Sequence, residues 1–358
     1  VFPGEGLDIH DADERSQVVI ADGSVVKTSP TNEFADLFWA LRGGGNSFAL
    51  VIDLELRAYD VPVVTVGITA HDNSTTSSTY YGAVADFALH GQSVDEKASV
   101  IPVVNSGNTA LHAGAVAYTT YRFWGGNASA AFGAASPPSL SYFVGPRLGT
   151  TSDTFAPKTM HEWSEETAPS FSRTKGLRQR FYTPLTLRVT NKADTVAALL
   201  TIHKTYFDAV FSALSELDLW FTGMSPFPVS KRFLAASAER KNSMNGLHIP
   251  NGDPMGITPE NLIVVELSLS YSNNATYEPI VTEFLHGIGG KIREALCKQG
   301  FEHMVSPWIY LNDADKGQDV FGGYPAENVK ALQRIRDKYD PDRVFTDLMP
   351  GGWKVAHA

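Results

Sequence analysis

Between Leu262 and Tyr271 the residues alternate in a way that leaves one carboxylate in an unusual place. Ile263, Val265, Leu267, Leu269 and Tyr271 form one wholly apolar face, and Val264, Glu266, Ser268 and Ser270 form the other. This is the period-two pattern of a strand with an apolar back and a small polar front. A carboxylate on such a front, once partly withdrawn from water, has a raised pKa and can take a proton near neutrality. Glu266 is therefore a candidate general base; the plainer reading is a solvated glutamate on an exposed sheet face. Tyr310 and Asn312 form a second candidate group. The stretch Trp308 to Asn312 reads as a strand on which they share a face opposite Ile309 and Leu311. On pattern alone the plainer reading is a strand end with a satisfied core tyrosine and a turn asparagine. The ten histidines show neither HxH nor HExxH spacing, so no metal site is expected. No GxSxG elbow is present. Cys297 is the only cysteine, which excludes an internal disulfide, and its place near a helix end predicts a small core residue.

The elements that must position these groups fall into three stretches. Residues 16–28 read as a hairpin turning at Asp22-Gly23. A helix follows, capped by Thr31 or Asn32, with Phe34, Leu37, Phe38 and Leu41 on one face. Gly43, Gly44 and Gly45 end it, and Phe48 to Tyr59 resumes as a strand. Dinucleotide and P-loop glycines lead into a helix whose N-terminus faces phosphate. Here the glycines leave a helix, so this is neither motif.

From about residue 61 the pattern predicts strands over 63–70, 110–123, 181–189, 217–222 and 262–271, with helices near 76–90, 193–212 and 277–298. The last helix carries Ile280, Phe284, Ile288, Ile292 and Leu296 four apart. Such spacing predicts an antiparallel sheet with helices packed on one face. Residues 133–176, rich in Pro, Ser and Gly, are expected to be loops. A final helix opens at Pro325, turns Val329, Leu332, Ile335 and Tyr339 inward, and stops at Asp340-Pro341.

The 358 residues suffice for two cores, since single cores seldom exceed roughly 250–300 residues. A net charge of −10 argues against a nucleic-acid partner. No apolar run reaches the roughly 18–20 residues that span a bilayer. Sequons at Asn73, Asn127 and Asn274 lie among turn-forming residues and point to a secreted glycoprotein. The opening VFPGEG has neither a charged nor an apolar leader region, so any signal peptide is expected upstream.

Three stretches together resemble the berberine-bridge-enzyme-like FAD-linked oxidoreductases, which share the cofactor fold of vanillyl-alcohol oxidases. They are VVIADGSVV at 18–26 with DLFWALRGGGNSF at 36–48, YLN at 310–312, and KYDPDRVF at 338–345 with PGGW at 350–353. The resemblance covers the whole chain and is of fungal type. It implies an α+β fold: the C-terminal part of a vanillyl-alcohol-oxidase-type FAD domain at 1–60 and 306–358, with a substrate domain inserted at 61–305. That inserted domain is expected to have an antiparallel sheet and flanking helices. The N-terminal flavin-anchoring lobe of such proteins is expected to be missing from this chain, having been clipped, left unrecorded or lost.

The same resemblance implies FAD as cofactor. It places Gly43, Gly44, Gly45, Asn46 and Phe48 near the adenosine and pyrophosphate side, and Asn312 beside the flavin ring. Glu266 then becomes base or proton relay, and Tyr310 orients the substrate. Where many relatives carry a tyrosine proposed as base, this chain has Asp313, the next candidate after Glu266. The implied reaction removes a hydride from an alcohol, amine or sugar-type substrate, with O2 reoxidising the flavin. Two other readings stay open: a flavin-free fragment or pseudoenzyme acting as a secreted binding or structural protein, and a redox-neutral cyclase on the same fold. The expected partners are a small-molecule substrate, O2 and the protein's own N-terminal fragment.

Overall fold

Asp22 and Gly23 make the first turn as their types require. Gly23 adopts φ +86°, and the Asp22 side chain accepts the Ser24 N–H at 2.8 Å. The turn joins β1 (Asp13–Val19) to β2 (Val25–Thr28), and β3 (Leu50–Leu56) pairs antiparallel on the other side of β1. The computed structural model describes residues 13–56, 60–107, 114–133, 135–145, 148–238, 249–349 and 351–355. Residues 57–59 and 110–113, placed in strands above, lie outside that set, as does Pro350 of the PGGW stretch.

Between β2 and β3 runs helix α1 (Ala35–Leu41). Asn32 does not cap it. Its carboxamide oxygen instead closes a turn, accepting the N–H groups of Ser29 (3.2 Å) and Phe34 (3.1 Å), and Phe34 holds the cap position.

The second sheet has nine strands, all paired antiparallel. They are β4 (Val64–His71), β5 (Ala98–Gly107), β6 (Ala117–Trp124), β7 (Thr150–Asp153), β8 (Ala156–Lys158), β9 (Leu177–Arg188), β10 (Leu219–Val229), β11 (Leu262–Ser272) and β12 (Val305–Ser306). Their order is β12-β9-β11-β10-β5-β6-β4-β7, with β8 also on β4. Pro102 conceals β5 in the sequence. The β5–β10 ladder runs only from Val104 to Gly107, so the missing N–H of Pro102 breaks no bond there. Residues 133–176 are not only loops. Besides β7 and β8 they form α4 (Met160–Ser172), opened by a capping box between Thr159 and Glu162; α2 (Ser77–Asp86) and the short α3 (Ala128–Phe132) precede it.

Helix α2, α5 (Lys192–Ala213) and α7 (Tyr277–Lys298, after α6 at Lys231–Ala238) cover one face of this sheet. Val265, Leu267 and Leu269 of β11 meet Leu199, Ile202, Leu285, Ile288 and Ile292 there. The buried stripe of α7 is Val281, Leu285, Ile288, Ile292 and Leu296; Ile280 is 43% exposed, one position off the expected stripe. Cys297 follows Leu296 around the helix and is exposed, not a core residue.

A second core joins the chain's two ends. Leu37, Trp39 and Phe48 pack with Trp308, Phe321, Leu332 and Ile335, and with Leu262 and Val264 from β11. Helix α8 (Ala326–Tyr339) docks on α1 through Asp36, which accepts Lys338 Nζ and Tyr339 OH, each at 2.7 Å. Among the described residues no helix is long and apolar enough to cross a membrane.

Candidate active site

The polar front of β11 begins where the second core ends. Leu262 and Val264 are buried in that core, and the next residue on the same face is Glu266. On one flank Glu266 pairs regularly with Ser225 of β10. The other flank is irregular. Val265 pairs with Leu185 and Leu267 with Tyr182, so Thr183 and Pro184 of β9 together oppose Glu266. Two residues against one make a β-bulge, a feature that re-aims side chains beside functional sites.

Tyr310 reaches this edge from the chain's far end. Its ring lies 5.9 Å from that of Phe227, edge-on, and 5.9 Å from that of Trp308. Phe227 pairs with Val264 as Ser225 pairs with Glu266, two residues along β10 and on the same face. The stretch 308–312 is not a strand. Pro307 has no N–H to extend the ladder, so β12 ends at Ser306, and residues 311–313 form a 3-10 turn. The turn still brings Tyr310 and Asn312 together: Asn312 Nδ2 donates to the Tyr310 hydroxyl at 2.8 Å.

Asp313 completes the group. Burial, then the negative charge of Asp313, push the Glu266 carboxyl up to about 8, opposed by a hydrogen bond with Ser268. Burial pushes Asp313 itself up to about 6. Burial also raises the Tyr310 phenol, and Asp313 adds to this while the Asn312 bond opposes it. Between about pH 6 and pH 8 the two carboxyls therefore hold one proton between them, with Glu266 the protonated partner. The arrangement can accept, hold and return a proton beside an aromatic wall.

No protein-family model matches this chain. Its sequence is 27% identical over 354 residues to an FAD-dependent monooxygenase of Fusarium proliferatum, covering 95% of this chain and 61% of that protein. Its fold matches a xylooligosaccharide oxidase of Myceliophthora thermophila bound to xylobiose, at a TM-score of 0.59 and 19% identity, over 94% of this chain and 65% of the other. A berberine-bridge-enzyme-like protein of Physcomitrella patens matches at a TM-score of 0.60 and 13% identity, over 94% of this chain and 64% of the other. This is the berberine-bridge-enzyme-like fold. By sequence the chain is a relative of fungal FAD-linked oxidoreductases, and it spans about three fifths of the length of the curated relatives it matches.

The glycine run at 43–45 is enclosed by its neighbours. Gly44 is filled by its own surroundings: a Cβ there would lie 2.5 Å from the Ala40 carbonyl and 2.6 Å from Phe48. At Gly45 (φ +70°) a Cβ would lie 2.7 Å from the Trp353 carbonyl. Phe48 is fully buried in the second core and presents no face to a ligand. Asn46 donates to the Gly351 carbonyl at 3.2 Å, and its own side-chain oxygen is buried without a partner among the described residues. The described residues bring Glu266, Tyr310, Asn312 and Asp313 together. At 43–48 the glycines are closely packed by Ala40, Phe48 and Trp353.

Sequence reasoning missed the link between these two regions. Trp353 packs its carbonyl on Gly45, and its indole N–H donates to the Gln318 carbonyl at 3.1 Å, five residues after Asp313.

Proposed function

We propose that the protein is an FAD-dependent oxidase acting on a small alcohol, amine or sugar-type substrate, with O2 as the final electron acceptor. The observation that carries this is the Glu266 carboxyl, raised by burial and by Asp313 on a polar strand face bordered by Tyr310. When bound, FAD would supply the two-electron acceptor, a chemistry no side chain provides. Glu266 takes the proton from the substrate hydroxyl or amine as the neighbouring C–H gives up its hydride. Asp313 keeps Glu266 basic enough for that task, since a nearby negative charge favours the protonated form. Tyr310 orients the substrate, and the exposed Asn312 amide is the group available to the flavin ring.

The phosphate end of FAD needs donors that the packed glycines do not present. Strand β3 suggests where they come from. Leu50, Ile52, Leu54 and Leu56 are each about half exposed, an apolar face left open among the described residues. A flavin-anchoring N-terminal segment of the same protein would cover it. Secretion with N-glycosylation is part of this reading, because Asn73, Asn127 and Asn274 are all exposed. At Asn127 and Asn274 it is the side-chain oxygen, and not Nδ2, the atom a glycan modifies, that accepts a following N–H.

A second reading is favoured by several curated relatives that are named FAD-dependent monooxygenases. Both readings are tested by following O2 uptake and hydrogen peroxide release over a panel of alcohols, amines and oligosaccharides, with Glu266→Gln as control. An oxidase releases one peroxide per O2 consumed, whereas a monooxygenase places oxygen in the product.

A further inference from the structure

The bulge opposite Glu266 leaves main-chain groups of Thr183 outside the β9–β11 ladder, and one side chain binds both. Gln318 Nε2 donates to the Thr183 carbonyl at 2.7 Å, and Gln318 Oε1 accepts the Thr183 N–H at 3.4 Å. The same oxygen accepts the Asp315 N–H at 2.7 Å. A primary amide matches a peptide group in its donor and acceptor, so Gln318 substitutes for the missing strand partner. The Thr183 hydroxyl then donates to the Asp313 carbonyl at 3.3 Å. Thr183 is fully buried, so none of these groups has water as an alternative partner.

A second clamp acts three residues earlier on β9. Arg180 holds the Asp315 carboxylate with two bonds, at 2.9 and 2.5 Å, and also binds Glu278 at 2.8 Å. Arg180 is thereby tied to α7, and its pairing restrains Asp315 without touching Asp313. Gln318 differs in binding the bulge residue that itself contacts Asp313.

We propose that Gln318 is a positioning residue: by pairing with both main-chain groups of Thr183, it fixes where Asp313 stands relative to Glu266. The role deepens the proposed function and rests on it only for its purpose, since the juxtaposition can be measured without turnover. The groups bearing on Glu266 are Asp313, Ser268 and the buried Tyr206. Of these only Asp313 sits on the segment that Gln318 anchors.

The test is a double-mutant cycle read by carboxyl NMR of the protein labelled with 13C-glutamate, Glu266 being assigned by its loss in Glu266→Gln. In the otherwise unaltered protein, Asp313→Asn should move the Glu266 midpoint to lower pH. In a Gln318→Met background, which keeps side-chain length but has no amide, that displacement should fall to less than half. Thr183→Val removes only the hydroxyl bond, keeps the β-branched shape, and should also shrink it; this variant carries the test if Gln318→Met does not fold. An undiminished displacement in the folded variants would overturn the proposal. A protein with intact coupling but no oxidation of any substrate would instead count against the proposed function.

Discussion

Glu266 on β11 and Asp313 in the turn after β12 stand close enough for the charge of one to hold a proton on the other. A base with a pKa of about 8 is mostly protonated at neutral pH, so turnover that needs its ionised form should rise with pH through about 8. Removing the neighbouring charge favours ionisation. In Asp313→Asn the rising limb of kcat/KM against pH should therefore move to lower pH. A limb that stays in place would show that the Glu266 ionisation does not govern the rate.

Glu266→Gln keeps the side-chain shape and removes the proton acceptor. Turnover should fall by about 100- to 10,000-fold, the usual cost of losing a general base. Flavin content per chain should not change, because Glu266 is assigned to the substrate and not to cofactor retention. Normal turnover would make Glu266 a structural carboxylate and direct attention to Asp313.

The same residue sets a stability trend with a definite sign. Its folded pKa of about 8 lies above the ordinary glutamate value of roughly 4.3, so the folded protein binds an extra proton between those values. The associated stability is fully present below about pH 4.3 and is lost as pH rises through about 8. Denaturant midpoints of Glu266→Gln should consequently fall less than those of the unaltered protein between about pH 5 and pH 8. Parallel curves would contradict the raised pKa.

At the junction of the chain's two ends, Asp36 is 1% exposed and accepts three hydrogen bonds, from Lys338, Tyr339 and Leu37. Asp36→Ala leaves the buried Tyr339 hydroxyl without its acceptor, and should destabilise the protein by about 2–3 kcal/mol. Lys338→Met should cost less than about 1 kcal/mol, because that ammonium is half exposed and can return to water. Urea unfolding of both variants checks the contrast.

Much of this architecture is legible in periodicity. Helices at 192–213 and 277–298 and the strand at 262–272 stand where side-chain spacing puts them, because each helix buries one apolar stripe and the strand alternates between its two faces. The site was legible only in part. Tyr310 and Asn312 do associate, but through a 3-10 turn that no alternation pattern encodes. Pro184 inside β9 was a readable sign of a bulge, since proline cannot donate to a central ladder. Thr159 and Glu162 likewise spell a capping box that the surrounding Pro and Gly obscured. Gln318 offered no such sign. Its importance comes from a tertiary contact with Thr183, far away in sequence, and an isolated glutamine in a loop carries no local pattern.

The proposed activity depends most on flavin, and the visible absorption spectrum of the protein expressed from its complete gene tests that directly. The predicted result is a yellow protein with the two flavin bands, at about one flavin per chain, as expected when the cofactor carries the redox chemistry. A colourless, folded protein that gains no flavin bands after incubation with FAD would contradict it.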